Sequence, residues 1–250
     1  MNQTKIREVL VEHGRRLFNA KRSFVKFTGD QEADELLNDL QRFPHAFVIA
    51  CVMDRQMPAE RAWLIPYRFL QKVGDFTFSR LVDLSLHRIQ DLMTNPEPLH
   101  RFPDKMSNNF HQAIITINKN YGGDASKIWR GTLSSAEVVY RFLQFRGVGP
   151  KIATMAVNIL ARDFKIPLSD YYSIDVSADV HIRRVFRRLG LVTKKASIEE
   201  IVYKARALNP EFPGLMDFPV WEIGRNWCKS QQPTCKDCYM KKLCPTSRDS

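Results

Sequence analysis

The sequence predicts an all-α protein, and three observations carry that. Apolar residues recur every three or four positions along most of the chain. Capping residues, glycines and prolines punctuate those stretches where helices should start and stop. The one run that reads equally well as a buried strand, Phe47 to Met53, has only helical neighbours. No internal repeat or low-complexity segment interrupts the pattern. The 250 residues suffice for one large domain or two small lobes.

Residues 5–19 form a basic amphipathic helix, with Ile6, Val9, Leu10, His13 and Leu17 on one face. Residues 24–29 read as an irregular link. The stripe Ala33, Leu36, Leu37, Leu40 predicts a helix over 30–43, and 47–53 is read as a buried helix. Helices over 61–73, bent at Pro66, and 78–93 follow. The proline-rich stretch 95–104 is a loop, 107–121 a helix, and 122–133 a second loop.

A helix over 134–145 opens on Ser134 and Glu137, spaced as a capping box. Gly147 and Gly149 should break it, since glycine takes the positive φ a reversal needs. Pro150 suits the first position of the next helix, to about Arg162, because its missing N–H has no intrahelical partner to lose. The product is a helix–hairpin–helix whose turn aims backbone N–H groups at an anion. Lys151 sits in the first turn of that second helix, where the dipole disfavours an ammonium. A neutral amine is what a Schiff-base nucleophile must be; the competing reading is a phosphate-binding cation.

After a turn at 167–172, Asp179 is placed as the N-cap of a helix closed by Gly190. That helix carries Arg183, Arg184, Arg187 and Arg188. Near the C-terminus come Cys228, Cys235, Cys238 and Cys244, spaced C-x6-C-x2-C-x5-C. Four thiols so close together point to a metal or cluster rather than disulfides. One C-x2-C pair with flanking single cysteines fits a cubane cluster better than a zinc ribbon. Cys51, in its apolar run, is expected to be a buried small hydrophobe.

The formal charge of +11 favours a polyanionic partner such as nucleic acid. No apolar run is long enough to span a bilayer, so no membrane partner is expected. The first residues lack the apolar core of a signal peptide, which predicts an intracellular protein. That means cytoplasm and nucleoid in a prokaryote, nucleus or organelle in a eukaryote.

Gly147-Val148-Gly149-Pro150-Lys151, then Asp179-Val180-His181, then the cysteine loop with Gly224-Arg225 before it, together resemble the endonuclease III family of helix–hairpin–helix DNA glycosylases. The likeness runs over essentially the whole chain. It implies two helical lobes: a six-helix barrel with the hairpin, expected at 30–164, and a [4Fe–4S] cluster lobe from 1–29 and 165–250. The active site would lie in the cleft between them. Lys151 then falls at the family's Schiff-base lysine and Asp179 at its catalytic aspartate. His181 favours Asp179 over the rival Asp175. Gln56 resembles the glutamine that fills the hole left by a flipped base. Backbone N–H groups at Gly147 and Gly149, Arg183 and its neighbours, and Lys229, Lys236, Lys241 and Lys242 would hold phosphates. The four cysteines would ligate the cluster.

The implied activity is base-excision repair: glycosylase with AP lyase on duplex DNA bearing a damaged base or abasic site, by a monomer. The Lys151-to-Asp179 separation exceeds the family's usual spacing, by residues around 166–173 that include Asp170, Tyr171 and Tyr172. Those residues would either shape the base pocket or form a passive insertion. Two alternatives compete: a monofunctional mismatch glycosylase, and a non-catalytic iron–sulfur protein that binds damaged or structured DNA.

Overall fold

The computed structural model describes residues 3–247, and no β-strand occurs among them. α1 (Gln3–Asn19) buries Ile6, Leu10 and Val11. α2 (Gln31–Asn38) starts at Asp30, whose carboxylate accepts from Ala33 N–H, and stops short of the expected Phe43. α3 (Pro44–Met53) settles the ambiguous run as a helix with every residue buried. The helix expected to bend at Pro66 is instead two, α4 (Ala59–Trp63) and α5 (Ile65–Val73). Pro66 sits in the first turn of α5, where a missing N–H costs nothing.

The 78–93 segment likewise divides, into α6 (Phe78–Val82) and α7 (Leu86–Thr94). Ser85 caps α7 by accepting from Arg88 N–H. α8 (Pro103–Tyr121) starts earlier than expected, again on a proline, and a 3-10 turn at Ala125–Ile128 occupies the following loop. α9 (Ser135–Leu143), α10 (Pro150–Arg162) and α11 (Val180–Arg188) stand close to their expected places. Two helices follow where none was expected, α12 (Ile198–Leu208) and α13 (Asp217–Asn226). A full capping box of Ser197 and Glu200 marks the first of these.

The chain divides into two compact units. One holds residues 23–133 and 140–153. Its centre is α3, packed by α2, α4, α5, α8 and the 125–128 turn. A helix apolar all round has to be enclosed in this way. Phe47 meets Trp63, Trp129 and Phe142 edge-on, and Phe69 stacks on Phe110 at 4.5 Å.

The other unit holds the chain up to Arg22, residues 134–139, and everything from Thr154 on. α1, α11, α12 and α13 share its core, with Leu10, Val185, Phe186, Ile201, Met216 and Ile223 inside. α13 lies hard against α11 at Gly224, where a Cβ would stand 2.7 Å from the Cβ of His181.

Candidate active site

The hairpin is built as the sequence dictates. Ser134 Oγ accepts from Glu137 N–H at 3.1 Å. The chain reverses at Gly147, whose φ of +91° only glycine adopts without strain. A Cβ there would also lie 2.6 Å from Asn109 Nδ2 and 2.9 Å from Arg55 Nη1. Gly149 differs: its φ is ordinary, and nothing lies within 4 Å of where its Cβ would be. Its bareness leaves open space beside the first turn of α10, on which Lys151 is exposed.

Behind the turn, Arg55 Nη1 donates to the Gly147 carbonyl at 2.6 Å. The next residue, Gln56, is exposed and takes a left-handed φ of +53°. Gly147, Gly149, Lys151 and Gln56 therefore belong to one unit.

Asp179 and Arg183 belong to the other. Asp179 caps α11 through one oxygen only: Oδ1 accepts from His181 N–H at 2.9 Å and Ile182 N–H at 2.8 Å. Oδ2 makes no hydrogen bond among the described residues, so a half-buried carboxylate oxygen is left for other work. The rival Asp175 is held by Arg206 in a two-pronged ion pair, 2.7 Å on each arm, which makes it structural.

One buried titratable group escaped the sequence reading. Asp217, at the start of α13, is buried behind this turn, and its Oδ1 accepts from Ser177 N–H at 2.5 Å and Ser177 Oγ at 2.8 Å. Burial pushes its carboxyl up to about 6, against the lowering effect of the Ser177 bonds and Arg162; the Asp179 charge adds to the rise. An acidic residue among Leu215, Met216, Phe218 and Val220 is a legible sign of such a site.

Three of the four α11 arginines bond the protein's own backbone carbonyls. Arg184 donates to the carbonyls of Cys228 and Gly224, at 2.6 and 2.8 Å. Arg187 donates to the Ala196 carbonyl, and Arg188 to the Lys229 and Ser230 carbonyls and to Cys228 Sγ at 3.3 Å. They hold the cysteine loop and its surroundings in place. Arg183 makes no such bond among the described residues.

All four loop cysteines are free, half-buried, and line one cavity of about 380 Å³. Burial pushes the Cys238 thiol up, and the three neighbouring cysteines push the same way. Among the described residues, no three His, Cys, Asp or Glu side chains already stand in a metal-holding group. The donor set itself, four thiols with an arginine N–H on one sulfur, suits an iron–sulfur cluster. Cys51 is buried in α3, as expected.

Residues 166–173 are fixed in place within their unit. Tyr171 stacks on Phe212 at 4.8 Å and meets Phe18 edge-on, while Ser135 Oγ donates to Asp170 and accepts from Ser173 N–H. Tyr172 is left 61 % exposed.

A hairpin presenting an exposed lysine, an aspartate-capped helix and a four-cysteine cavity, on helices alone, define a protein with the helix–hairpin–helix glycosylase fold. No family model matches the chain. Endonuclease III of Thermotoga maritima is 34 % identical over 103 residues, 41 % of this chain and 43 % of that protein. The aligned stretch thus spans less than half of that relative. Endonuclease III of Sulfolobus acidocaldarius is 23 % identical over 80 % of both chains. A solved endonuclease III, trapped as a covalent intermediate with DNA, superposes with a TM-score of 0.65 at 19 % identity, covering 99 % of this chain and 97 % of that one. The chain is similar to endonuclease III over these stretches and has the endonuclease III fold.

Proposed function

We propose that this protein is a base-excision-repair DNA glycosylase with AP lyase activity, acting on duplex DNA through a Schiff base on Lys151. The observation that carries the reading is the lysine itself, exposed on the first turn of the hairpin's second helix.

A base inside the stack is out of reach, so the target nucleotide has to be flipped out. The Lys151 Nζ lone pair attacks C1′, the N-glycosidic bond breaks, and the base leaves with that electron pair and takes up a proton. Asp179, through its spare Oδ2, stabilises the positive charge developing on the sugar. Opening of the sugar gives an iminium linkage. Loss of a C2′ proton then expels the 3′ phosphate and nicks the strand. The N–H groups around Gly147 and Gly149 hold a phosphate, Arg183 holds another, and Gln56 fills the vacated stack.

Cys228, Cys235, Cys238 and Cys244 hold a [4Fe–4S] cluster in this reading, which ties the C-terminal loop together. Visible absorbance, with iron and sulfide stoichiometry, checks it; each Cys→Ser change should lower both.

Borohydride trapping tests the function. Wild type, Lys151→Ala and Asp179→Asn are incubated with duplexes bearing an abasic site or one of several oxidised, deaminated or mismatched bases. A covalent adduct that vanishes in Lys151→Ala is expected, and the panel identifies the base removed. Tight lesion binding with no adduct on any duplex would sink the lyase mechanism.

A further inference from the structure

The hydrogen bonds that tie Arg55, the residue before Gln56, to the hairpin on one side and to His100 on the other are unexplained by the chemistry above. Arg55 reaches across to the hairpin, with Nη1 on the Gly147 carbonyl at 2.6 Å. Its own carbonyl is gripped from the other side by His100 Nε2 at 3.0 Å. The tautomer follows from the neighbouring bond: Phe102 N–H donates to His100 Nδ1 at 3.0 Å, so Nδ1 is the acceptor and Nε2 carries the proton. Burial lowers the His100 proton affinity, which agrees with a neutral ring.

Gln56 follows directly, in a left-handed conformation that a residue with a Cβ keeps only when its surroundings impose it. Gly147 completes the arrangement, because Arg55 and Asn109 fill the space a side chain would need. All of these residues lie in one unit.

We infer that Arg55 is a positioning residue that locks the Gln56 turn to the hairpin, so that gripping the strand and entering the base stack occur as one event. This rests on the glycosylase reading above. A carbonyl fixed by a guanidinium keeps the hairpin's N–H groups and the Gln56 tip at one separation. Without the lock, the hairpin still meets its phosphate, but Gln56 arrives as a mobile tip.

The rival role for Arg55 is a direct phosphate contact, and salt dependence separates the two. Loss of one phosphate contact lowers the slope of log affinity against log salt by about 0.9 and weakens damaged and undamaged duplexes alike. Loss of a positioning bond leaves the slope unchanged and weakens only the complex in which Gln56 must insert.

The test uses the cluster-loaded protein and a duplex holding a tetrahydrofuran abasic analogue beside 2-aminopurine, whose fluorescence rises on unstacking. Wild type, Arg55→Ala, Arg55→Lys, Gln56→Ala and the Arg55→Ala/Gln56→Ala double variant are compared with an undamaged control duplex. Arg55→Ala should bind the abasic duplex at least tenfold more weakly and the control within threefold, with an unchanged salt slope. Its fluorescence rise should fall to that of Gln56→Ala, and the double variant should be no worse than Gln56→Ala. Arg55→Lys, which keeps a donor for the carbonyl, should recover most of the affinity.

Wild-type behaviour in Arg55→Ala, additive losses in the double variant, or a reduced salt slope would each overturn the inference. Unfolding of Arg55→Ala would leave Arg55→Lys to decide: recovery supports the lock, and a loss equal to Gln56→Ala refutes it. Failure of wild type to prefer the abasic duplex would refute the glycosylase reading itself.

Discussion

His45 and Asp217 are both buried, and burial moves them in opposite directions. His45, bonded through Nε2 to the Phe76 carbonyl, falls from 6.5 to about 4. Below pH 6.5 the unfolded chain takes a proton that the native ring refuses, so stability drops until about pH 4. Asp217 holds its proton up to about 6, whereas an unfolded aspartate loses it near 4. Stability is therefore full below about pH 4 and lost as pH rises to about 6. Each slope is about 1.4 kcal/mol per pH unit. Urea unfolding should show Asp217→Asn gaining on wild type as pH rises from 4 to 6, and His45→Gln gaining as pH falls below 6.5. Parallel curves would refute the assignments. Asp179 allows a cleaner separation. Asparagine caps a helix as well as aspartate does, so Asp179→Asn should keep the melting temperature and lose excision, while Asp179→Ala should also cost about 1 kcal/mol in thermal unfolding. The Asp179 cap and Lys151 at a helix start were legible because neighbouring residues fix those positions. The partners of Arg184 and Arg188 lie about forty positions away, and no local pattern reveals them.

The two glycines of the hairpin look equivalent in the sequence and are not. Gly147→Ala should lower stability by about 1–3 kcal/mol, from the left-handed φ and the crowding of Asn109 and Arg55. Gly149→Ala meets neither obstacle, so its melting temperature should stay near wild type while affinity for duplex DNA falls, if a phosphate approaches that bare face. Paired thermal melts and binding titrations check both. The prolines taught a similar lesson. Pro66 and Pro103 read as a bend and as loop material, yet each lies in the first turn of a helix, where the missing N–H would have no intrahelical partner. The character of α3 was decided by what encloses it, which only the fold supplies.

Across the chain, the net charge of +11 points to a polyanionic partner, but the fold uses much of the α11 charge on its own carbonyls. Arg183→Ala should accordingly reduce the salt slope of DNA binding by about 0.9. Arg188→Ala should instead reduce cluster content, read by visible absorbance, because it releases Cys228 and the loop behind it. The helical class was legible throughout from periodicity and caps, whereas only the family resemblance, and no local pattern, pointed to a unit that joins residues from far ends of the sequence. That joining also has a temporal side. α1 packs on the 213–216 turn and on α13, so it leaves the ribosome long before its partners exist. At about 5–20 residues per second the wait is on the order of ten to forty seconds. Throughout it, an amphipathic, basic helix-forming segment has its apolar face uncovered, which leaves the nascent chain open to association through that face.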